Sequence, residues 1–328
     1  MRILVAGGAG YVGSVLVPSL LEREYEVDVL DLLWFGNNLP DGVRVIERDI
    51  MSVTEDDVKG YDQVIFIAGL SNDPMAEYSP MRNFVDNAAA PAYLAYSAKR
   101  AGVKRYIFGS SCSVYGYTVN ELYDETSPAI SNYPYGISKL QGEFSCLQLQ
   151  DQNFSAISLR QGTVCGYSPR MRLDLVVNTM FKYAITEKVI TVNNASIWRP
   201  ILDIRDAASA YTRAIEAHPE ISGVFNVASG NYTVGEIADY VKEGVRELLG
   251  INAKLNIKNV TDYRNYKVSV EKANNVLSFK ARHDVRDSVK NLVENMDKFQ
   301  DIENPLYYNI QVFKMLDDTK TVPHQDKL

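Results

Sequence analysis

The feature that most constrains the fold of this chain is a glycine-rich turn close to its first residue. Residues 7–13 read GGAGYVG, between the strand-like segment Arg2–Ala6 and a segment with helical periodicity. Glycines at this spacing let the backbone turn sharply into a helix and let a phosphate approach the free N–H groups at the helix N-terminus. A tight turn favours glycine anyway, so the pattern gains weight only from its context. The candidate phosphate-binding residues are Gly7, Gly10, Tyr11, Val12 and Gly13.

Strands and helices are predicted to alternate through the first half of the chain. Strands are predicted at residues 2–6, 27–31, 43–47, 63–67, 104–108 and 155–159, and helices at 11–23, 83–101 and 135–150. This alternation is typical of an α/β fold with a Rossmann-like, doubly wound parallel sheet. After residue 166 it gives way to an irregular, arginine-bearing stretch, and it returns in a helix at 205–217 and a strand at 224–227. Further helices are predicted at 233–249, from a capping box, and at 285–299.

The order of these segments predicts two interleaved lobes. Residues 1–166 plus about 203–230 are expected to form a dinucleotide-binding domain. Residues of about 167–202 and 231–328 are expected to form a smaller C-terminal substrate-binding lobe. A chain of 328 residues exceeds the usual size of one compact core, which agrees with this division.

An acidic residue follows the glycine turn at the distance expected for binding a ribose. Asp31 ends the second predicted strand, 18 residues after Gly13. There a carboxylate can accept hydrogen bonds from the adenosine ribose hydroxyls, although an aspartate that caps a helix is the alternative. The same carboxylate would repel a 2′-phosphate, and two leucines rather than basic residues follow it. We therefore expect NAD, rather than NADP, as the cofactor.

Two other strand ends carry candidate cofactor contacts. Asp49 and Ile50 follow the third strand, where they could bracket an adenine, with a solvated loop as the alternative. Ala68 and Gly69 close the fourth strand with small residues, as expected where a cofactor crosses the carboxyl edge of a sheet.

A tyrosine and a lysine four residues apart supply candidate catalytic groups. Tyr135 and Lys139 share one helix face, and Ser110-Ser111 follows the strand that ends at residue 108. Ionising a tyrosine of pKa ~10 at pH 7 costs roughly 4 kcal/mol. A positive charge about 4 Å away contributes on the order of 4 kcal/mol at an effective dielectric of 20. With Lys139 and an oxidised nicotinamide, the tyrosinate can take a proton from a sugar hydroxyl as hydride leaves for NAD, while a serine hydroxyl holds the same oxygen.

Together these motifs resemble those of the nucleotide-sugar epimerase/dehydratase family of extended short-chain dehydrogenases/reductases. The resemblance covers residues 1 to about 279 and rests on segments 7–13, 110–116, 135–139, 198–200 and 262–266. It implies that Ser111 is the catalytic hydroxyl, Tyr135 the acid/base and Lys139 its ribose-binding partner. Asn87, which the residues alone predict to be a helix N-cap, matches an asparagine near the nicotinamide ribose in that family. The resemblance also implies a homodimer, packed through helices 83–101 and 135–150.

The substrate implied by the resemblance is a nucleotide diphosphate sugar. Because the net charge of −7 repels a diphosphate at long range, the pocket must be locally basic. The resemblance assigns Arg199 and Arg264 to the diphosphate. Arg170 and Arg172 are further candidates, since a guanidinium fork suits phosphate oxygens, unless they are surface residues paired with Asp174.

Four other residues are candidates for the sugar side of the site. Asn178 occupies a family position for a nucleotide-sugar contact. Asn72 and Asp73 follow the fourth strand and face the reaction site in this topology, unless turn chemistry accounts for them. Thr163 stands where many family members have asparagine, so the placement of the sugar can differ.

One departure from the family separates the possible reactions. Dehydratases carry an adjacent Asp-Glu pair after the catalytic hydroxyl, and this chain has Cys112 and Ser113 there. The leading hypothesis is a 4-epimerase, which oxidises C4 to a keto intermediate and reduces it again. The alternatives are a nucleotide-sugar 4-dehydrogenase or 4-keto-sugar reductase and, with less support, a 4,6-dehydratase or a non-catalytic NAD-binding regulatory protein.

Charge and composition argue against several classes of partner. No basic run interleaved with aromatics occurs, so nucleic acid is not an expected partner. No apolar run approaches the roughly 20 residues that span a bilayer, so no membrane association is expected. The three cysteines and three histidines have no zinc or disulfide spacing, so no metal is expected and the thiols suit a reducing compartment. Since the first strand leaves no room for a signal peptide, we expect a cytoplasmic location.

Overall fold

The computed structural model describes residues 1–260 and 264–318 of the chain. Residues 262 and 263 of the 262–266 motif, and residues 319–328 of the predicted second lobe, lie outside the described residues. The strands are β1 (Arg2–Ala6), β2 (Glu26–Asp31), β3 (Arg44–Glu47), β4 (Gln63–Phe66), β5 (Arg105–Ser111), β6 (Tyr117–Tyr123), β7 (Ser155–Gln161), β8 (Thr163–Cys165), β9 (Val189–Asn193), β10 (Trp198–Asp203), β11 (Gly223–Val227), β12 (Gly230–Thr233), β13 (Lys254–Lys258) and β14 (Asn265–Val268). The helices are α1 (Gly13–Leu21), α2 (Glu55–Val58), α3 (Asp73–Tyr78), α4 (Pro80–Phe84), α5 (Ala90–Arg100), α6 (Pro134–Leu147), α7 (Val176–Thr186), α8 (Ile204–Glu216), α9 (Val234–Leu249), α10 (Glu271–Leu277), α11 (Val285–Glu294) and α12 (Asn309–Asp318).

Seven parallel strands form the central sheet, in the order β11-β7-β5-β4-β1-β2-β3. Ile3 pairs with Val27 on one side and with Gln63 on the other, so β1 lies between β2 and β4. The chain runs outward from β1 in both directions, and the strand order therefore reverses beside β1. Open parallel sheets bind ligands at the carboxyl ends of the strands at such a reversal. The predicted α/β, Rossmann-like fold class is confirmed.

Alternate residues of the central strands cover both faces of the sheet with apolar side chains. On one face, α1 and α8 pack on the sheet through buried side chains such as Leu16 and Ala207. On the other face, α5 contributes buried Leu94 and Ala98. The central sheet thus lies between two layers of helices.

A second apolar core lies beyond this edge. Its side chains come from α7, α9 and α11, with Phe181, Val241 and Val289 fully buried. These residues belong to two separate stretches, 165–201 and 234–299, because α8 and β11 return to the central sheet between them. No helix in the described ranges is long and apolar enough to span a membrane.

Two local predictions were wrong in part, and one helix was not predicted. The stretch after residue 166 is irregular only as far as residue 175, and beyond it lie α7 and the short strands β9 and β10. Helix α7 buries Asn178 and Lys182 together with its apolar residues, which breaks the periodic pattern. The predicted helix 83–101 starts at Pro80 and includes a π-helical turn at Val85–Ala89, and α12 was not predicted.

Candidate active site

A cavity of about 660 Å³ opens at the carboxyl ends of β1, β2, β4 and β5, with residues of both cores in its walls. It brings together most of the predicted site residues, which are Gly7, Gly10, Tyr11, Val12, Asp31, Asp49, Ile50, Ala68, Gly69, Asn72, Asp73, Ser111, Tyr135, Lys139, Thr163, Arg170, Arg172, Arg199 and Arg264. Gly13, Asn87 and Asn178 do not line it.

The glycine turn brings the backbone close to the floor of this cavity. Gly7 has a φ of 86°, and its N–H donates to the Leu30 carbonyl at 2.8 Å. A Cβ at Gly7 would come within 2.5 Å of the Ala68 nitrogen, and one at Gly13 would strike the Gly8 carbonyl. The N-cap residue of α1, Val12, makes no side-chain cap, and the Ser14 N–H donates to the Gly10 carbonyl at 2.9 Å. This cradle fits a dinucleotide pyrophosphate.

Asp31 holds the glycine turn in place and lines the cavity beside it. Its carboxylate accepts hydrogen bonds from the N–H of Ala9 at 3.0 Å and of Leu33 at 2.9 Å. Asp31 therefore contacts the turn and does not cap a helix. Burial raises the pKa of Asp31, while these N–H donors and the charge of Arg170 act in the other direction.

Asp49 and Ile50, which follow β3, stabilise their own loop and also line the cavity. The Asp49 carboxylate accepts from the Met51 N–H at 2.7 Å and caps a 3₁₀ turn that begins at Ile50. Both Asp49 and Ile50 line the cavity.

Ser111, Tyr135 and Lys139 form a connected group where β5 meets α6. The Ser111 hydroxyl favours the ionised form of the Tyr135 phenol, and Ser111 Oγ accepts from the Ser113 hydroxyl at 2.9 Å. Lys139 Nζ donates to the Gly109 carbonyl at 3.0 Å and lies 5.9 Å from the centre of the Tyr135 ring. A phenol, a hydroxyl and an ammonium thus meet at one end of the cavity.

Burial sets the proton affinities of this group. It raises the pKa of Tyr135, and the hydrogen bond with Ser111 and the charge of Arg172 partly oppose that rise. It lowers the pKa of Lys139 to about 8. In its protonated form, a lysine this close favours the phenolate form of a tyrosine.

Several arginines also line the cavity. Arg172 makes a two-point contact with Asp174, at 2.8 and 3.0 Å, while Arg199 donates to the carbonyl oxygens of Trp198 and Arg264. Arg170 and Arg172 are only 3% and 6% exposed, so the alternative that they are surface residues is wrong.

Asp73 pairs with Arg264 inside the same cavity. Arg264 Nη1 lies 2.9 Å from Asp73 Oδ2. Asp73 Oδ1 is buried and has no hydrogen-bond partner in the described chain. Burial raises the pKa of Asp73, against the opposing charge of Arg264. Asn72 has a local role as well, since it caps α3 by accepting from the Met75 N–H.

Two predicted ligand contacts hold loops instead of lining the cavity. Asn178 donates to the Arg172 carbonyl at 2.8 Å and accepts from the Gly166 N–H at 3.0 Å. Asn87 lies inside the π-helical turn rather than at a helix N-cap, and it donates to the Leu70 carbonyl at 2.9 Å. Both side chains are fully buried, so they shape the cavity walls from behind.

Comparison with known families decides the class of the chain. The family model described as "NAD dependent epimerase/dehydratase family" matches residues 3–228. The chain belongs to this family. The predictions of an extended short-chain dehydrogenase/reductase, of an enzyme and of NAD as its cofactor are thereby confirmed.

Curated relatives of this epimerase/dehydratase include enzymes with two kinds of activity. A UDP-glucose 4-epimerase of Corynebacterium glutamicum is 27% identical over 305 residues, covering 86% of this chain and 92% of the relative. UDP-glucuronic acid decarboxylase 5 of Arabidopsis thaliana is 27% identical over 312 residues, covering 90% of this chain and 89% of the relative.

Solved structures agree with the fold over nearly the whole chain. MoeE5 in complex with UDP-glucuronic acid and NAD has a TM-score of 0.81 at 25% identity, covering 91% of this chain and 99% of that one. A UDP-glucose 4-epimerase of Thermotoga maritima has a TM-score of 0.82 at 24% identity, covering 92% of this chain and all of that one.

Sequence reasoning missed two polar residues of this epimerase/dehydratase site. Gln161 and Arg82 line the cavity, and each has a buried polar atom without a partner in the described residues. The position of Gln161 at the carboxyl end of β7 could have indicated it. No local signal marks Arg82, because its place depends on packing against the loop after β2.

Proposed function

We propose that the protein is an NAD-dependent nucleotide-sugar 4-epimerase. The observation that carries this proposal is that Tyr135, Ser111 and Lys139 line one cavity together with the glycine turn and several arginines. Such a cavity can hold a dinucleotide and a nucleotide sugar together, with a sugar carbon near the phenol.

The chain itself supplies proton transfer and orientation. The Tyr135 oxygen takes the proton of the sugar 4-hydroxyl and returns it after the keto sugar has turned its other face. Ser111, held by Ser113, donates a hydrogen bond to the same sugar oxygen. Lys139 stabilises the phenolate by its charge. NAD, when bound, accepts the hydride and gives it back.

The cofactor contacts that we propose are Gly7, Gly10, Tyr11, Val12, Asp31, Asp49, Ile50, Ala68, Gly69, Tyr135 and Lys139. Gly13 supports them by allowing the close approach of α1 to the turn. For the nucleotide sugar we propose Asn72, Asp73, Thr163, Arg172, Arg199 and Arg264. Within this set, the free Oδ1 of Asp73 suits a sugar hydroxyl, because a buried acceptor needs a donor.

The two lobes divide this work. We propose that residues 1–166 plus about 203–230 bind NAD, and that about 167–202 with 231–328 bind the nucleotide sugar. We further propose a homodimer packed through α4, α5 and α6, whose outer surface exposes Met81, Phe84, Tyr96, Ile137 and Phe144. Large exposed apolar side chains on neighbouring helices are typical of a protein interface. A cytoplasmic location fits the three buried free thiols.

The experiment is a panel of UDP-, GDP-, CDP- and dTDP-sugars, first screened by thermal shift on the NAD-loaded protein and then incubated with it. NMR of the products should show a C4 epimer pair for at least one sugar, without added NADH. Accumulation of NADH, or a requirement for added NADH, would instead identify a dehydrogenase or a keto-sugar reductase.

A further inference from the structure

Arg170 is a buried cation without a paired anion. It is 3% exposed, and its Nε has no hydrogen-bond partner in the described residues. The rest of the guanidinium donates to Asn309 Oδ1 and, at 3.4 Å, to the Met171 carbonyl. It forms no salt bridge with a described carboxylate, although the charges of Asp31 and Asp174 act on it from a greater distance. A buried charge in this position is unfavourable until an anion joins it.

Arg82 is a second cation with unused donor capacity in the same cavity. It is 9% exposed, and its Nη1 has no partner among the residues described. Its Nε is 3.5 Å from Asp86 Oδ2, so one carboxylate offsets part of its charge. Burial and the charge of Arg172 lower the pKa of Arg170 to about 9, which is the direction expected when cations crowd a dry site.

Two aromatic rings hold these arginines on the cofactor side of the cavity. The Arg170 guanidinium lies 3.6 Å from the centre of the Phe35 ring, and that of Arg82 lies 4.9 Å from the Trp34 ring. Both rings follow Asp31, which is bonded to the glycine turn, and both line the cavity. A ring against the face of a guanidinium leaves its N–H edge accessible, and Arg170 Nε and Arg82 Nη1 have no partner in the described residues.

We propose that Arg170 and Arg82 bind the pyrophosphate of NAD together with the glycine turn. The pyrophosphate carries two negative charges, and planar guanidinium groups contact phosphate oxygens at two points. Arg170 comes from the loop after β8, and its partner Asn309 begins α12, so bound NAD would fasten the second lobe and the C-terminal helix to the sheet. The sequence had assigned Arg170 to the nucleotide sugar, and this proposal moves it to the cofactor.

Because a diphosphate occurs in both NAD and a nucleotide sugar, the experiment measures the two ligands separately on the protein as purified. NAD release is followed by exchange with fluorescent etheno-NAD, and the affinity for UDP by calorimetry. For Arg170→Gln we expect NAD release to be 10- to 100-fold faster, about 1.4 to 2.8 kcal/mol, and UDP affinity to stay within twofold. Arg82→Gln should speed release about tenfold. Arg100→Gln, on an exposed arginine paired with Glu55, is the matched control and should change neither quantity.

Three results would overturn the proposal. Loss of UDP affinity with unchanged NAD release would place Arg170 on the nucleotide sugar. Unchanged release in both variants would mean that neither arginine binds a diphosphate. If Arg170→Gln does not fold, Arg170→Lys and Arg82→Gln decide, and release at the wild-type rate in both refutes the proposal. None of these measurements requires turnover, so the result is independent of the proposed epimerase reaction.

Discussion

Replacing Tyr135 by phenylalanine removes the phenol oxygen and leaves the ring in place. The change removes the interaction of the phenol oxygen with Ser111, whose Oγ keeps its bond from Ser113 at 2.9 Å. Since even a full hydrogen bond contributes only about 1 kcal/mol, the protein should stay folded. Loss of a general acid–base group should lower kcat by about 10²- to 10⁴-fold, which is about 2.7 to 5.4 kcal/mol of barrier.

The assay is the rate of C4 epimerisation by NMR, with bound NAD measured on the same sample. NAD content should match wild type, because the change leaves the glycine turn and Asp31, the proposed cofactor contacts, unaltered. Tyr211→Phe is the control, since it also removes one phenol oxygen; the Tyr211 oxygen is buried and has no partner in the described structure. It should leave kcat unchanged. If Tyr135→Phe retains activity within about tenfold of wild type, the assignment of Tyr135 as the acid/base is refuted.

Three further predictions test other parts of the site. Asp31→Ala should weaken NAD binding at least tenfold and reduce the ratio of NAD to NADP affinity, both measured by calorimetry. If the variant and the wild type have the same affinities for both cofactors, Asp31 only shapes the turn. The enzyme should not eliminate water, because buried Cys112 donates to the Arg160 carbonyl and only Ser113 lines the cavity, so no acidic pair follows Ser111; loss of 18 mass units from the sugar in mass spectrometry would contradict this. Phe144→Asp should convert the proposed dimer into a ~37 kDa monomer in sedimentation at micromolar concentration, because it places a charge on the exposed face of α6; a wild-type monomer would refute the proposed interface.

The parts of the site that the sequence predicted are local in the chain. The turn from β1 into α1 is one continuous segment, and Asp31 ends the neighbouring strand. Tyr135 and Lys139 are four residues apart on one helix, so their common direction follows from helical geometry. Ser111 could be placed because the carboxyl ends of parallel strands meet at one edge.

The parts that the sequence missed depend on contacts between distant residues. Arg170 meets Asn309 across 139 residues, and Arg264 meets Asp73 across 191. No local pattern indicates such pairs, because tertiary packing alone brings their loops together. Tertiary packing also explains why the sequence placed Arg170 on the substrate side. In the structure Arg170 lies against Phe35, and Phe35 follows Asp31 by four residues.

The central claim is that hydride leaves C4 of the sugar and returns to the same carbon while the proton passes through Tyr135. The most direct test is NMR of the accepted nucleotide sugar incubated with the NAD-loaded enzyme in D₂O. We expect the C4 epimer to accumulate to equilibrium from either side, with its C4 hydrogen retained as protium and no deuterium at C5. Deuterium at C4 or C5, or a keto sugar as the end product, would contradict the account.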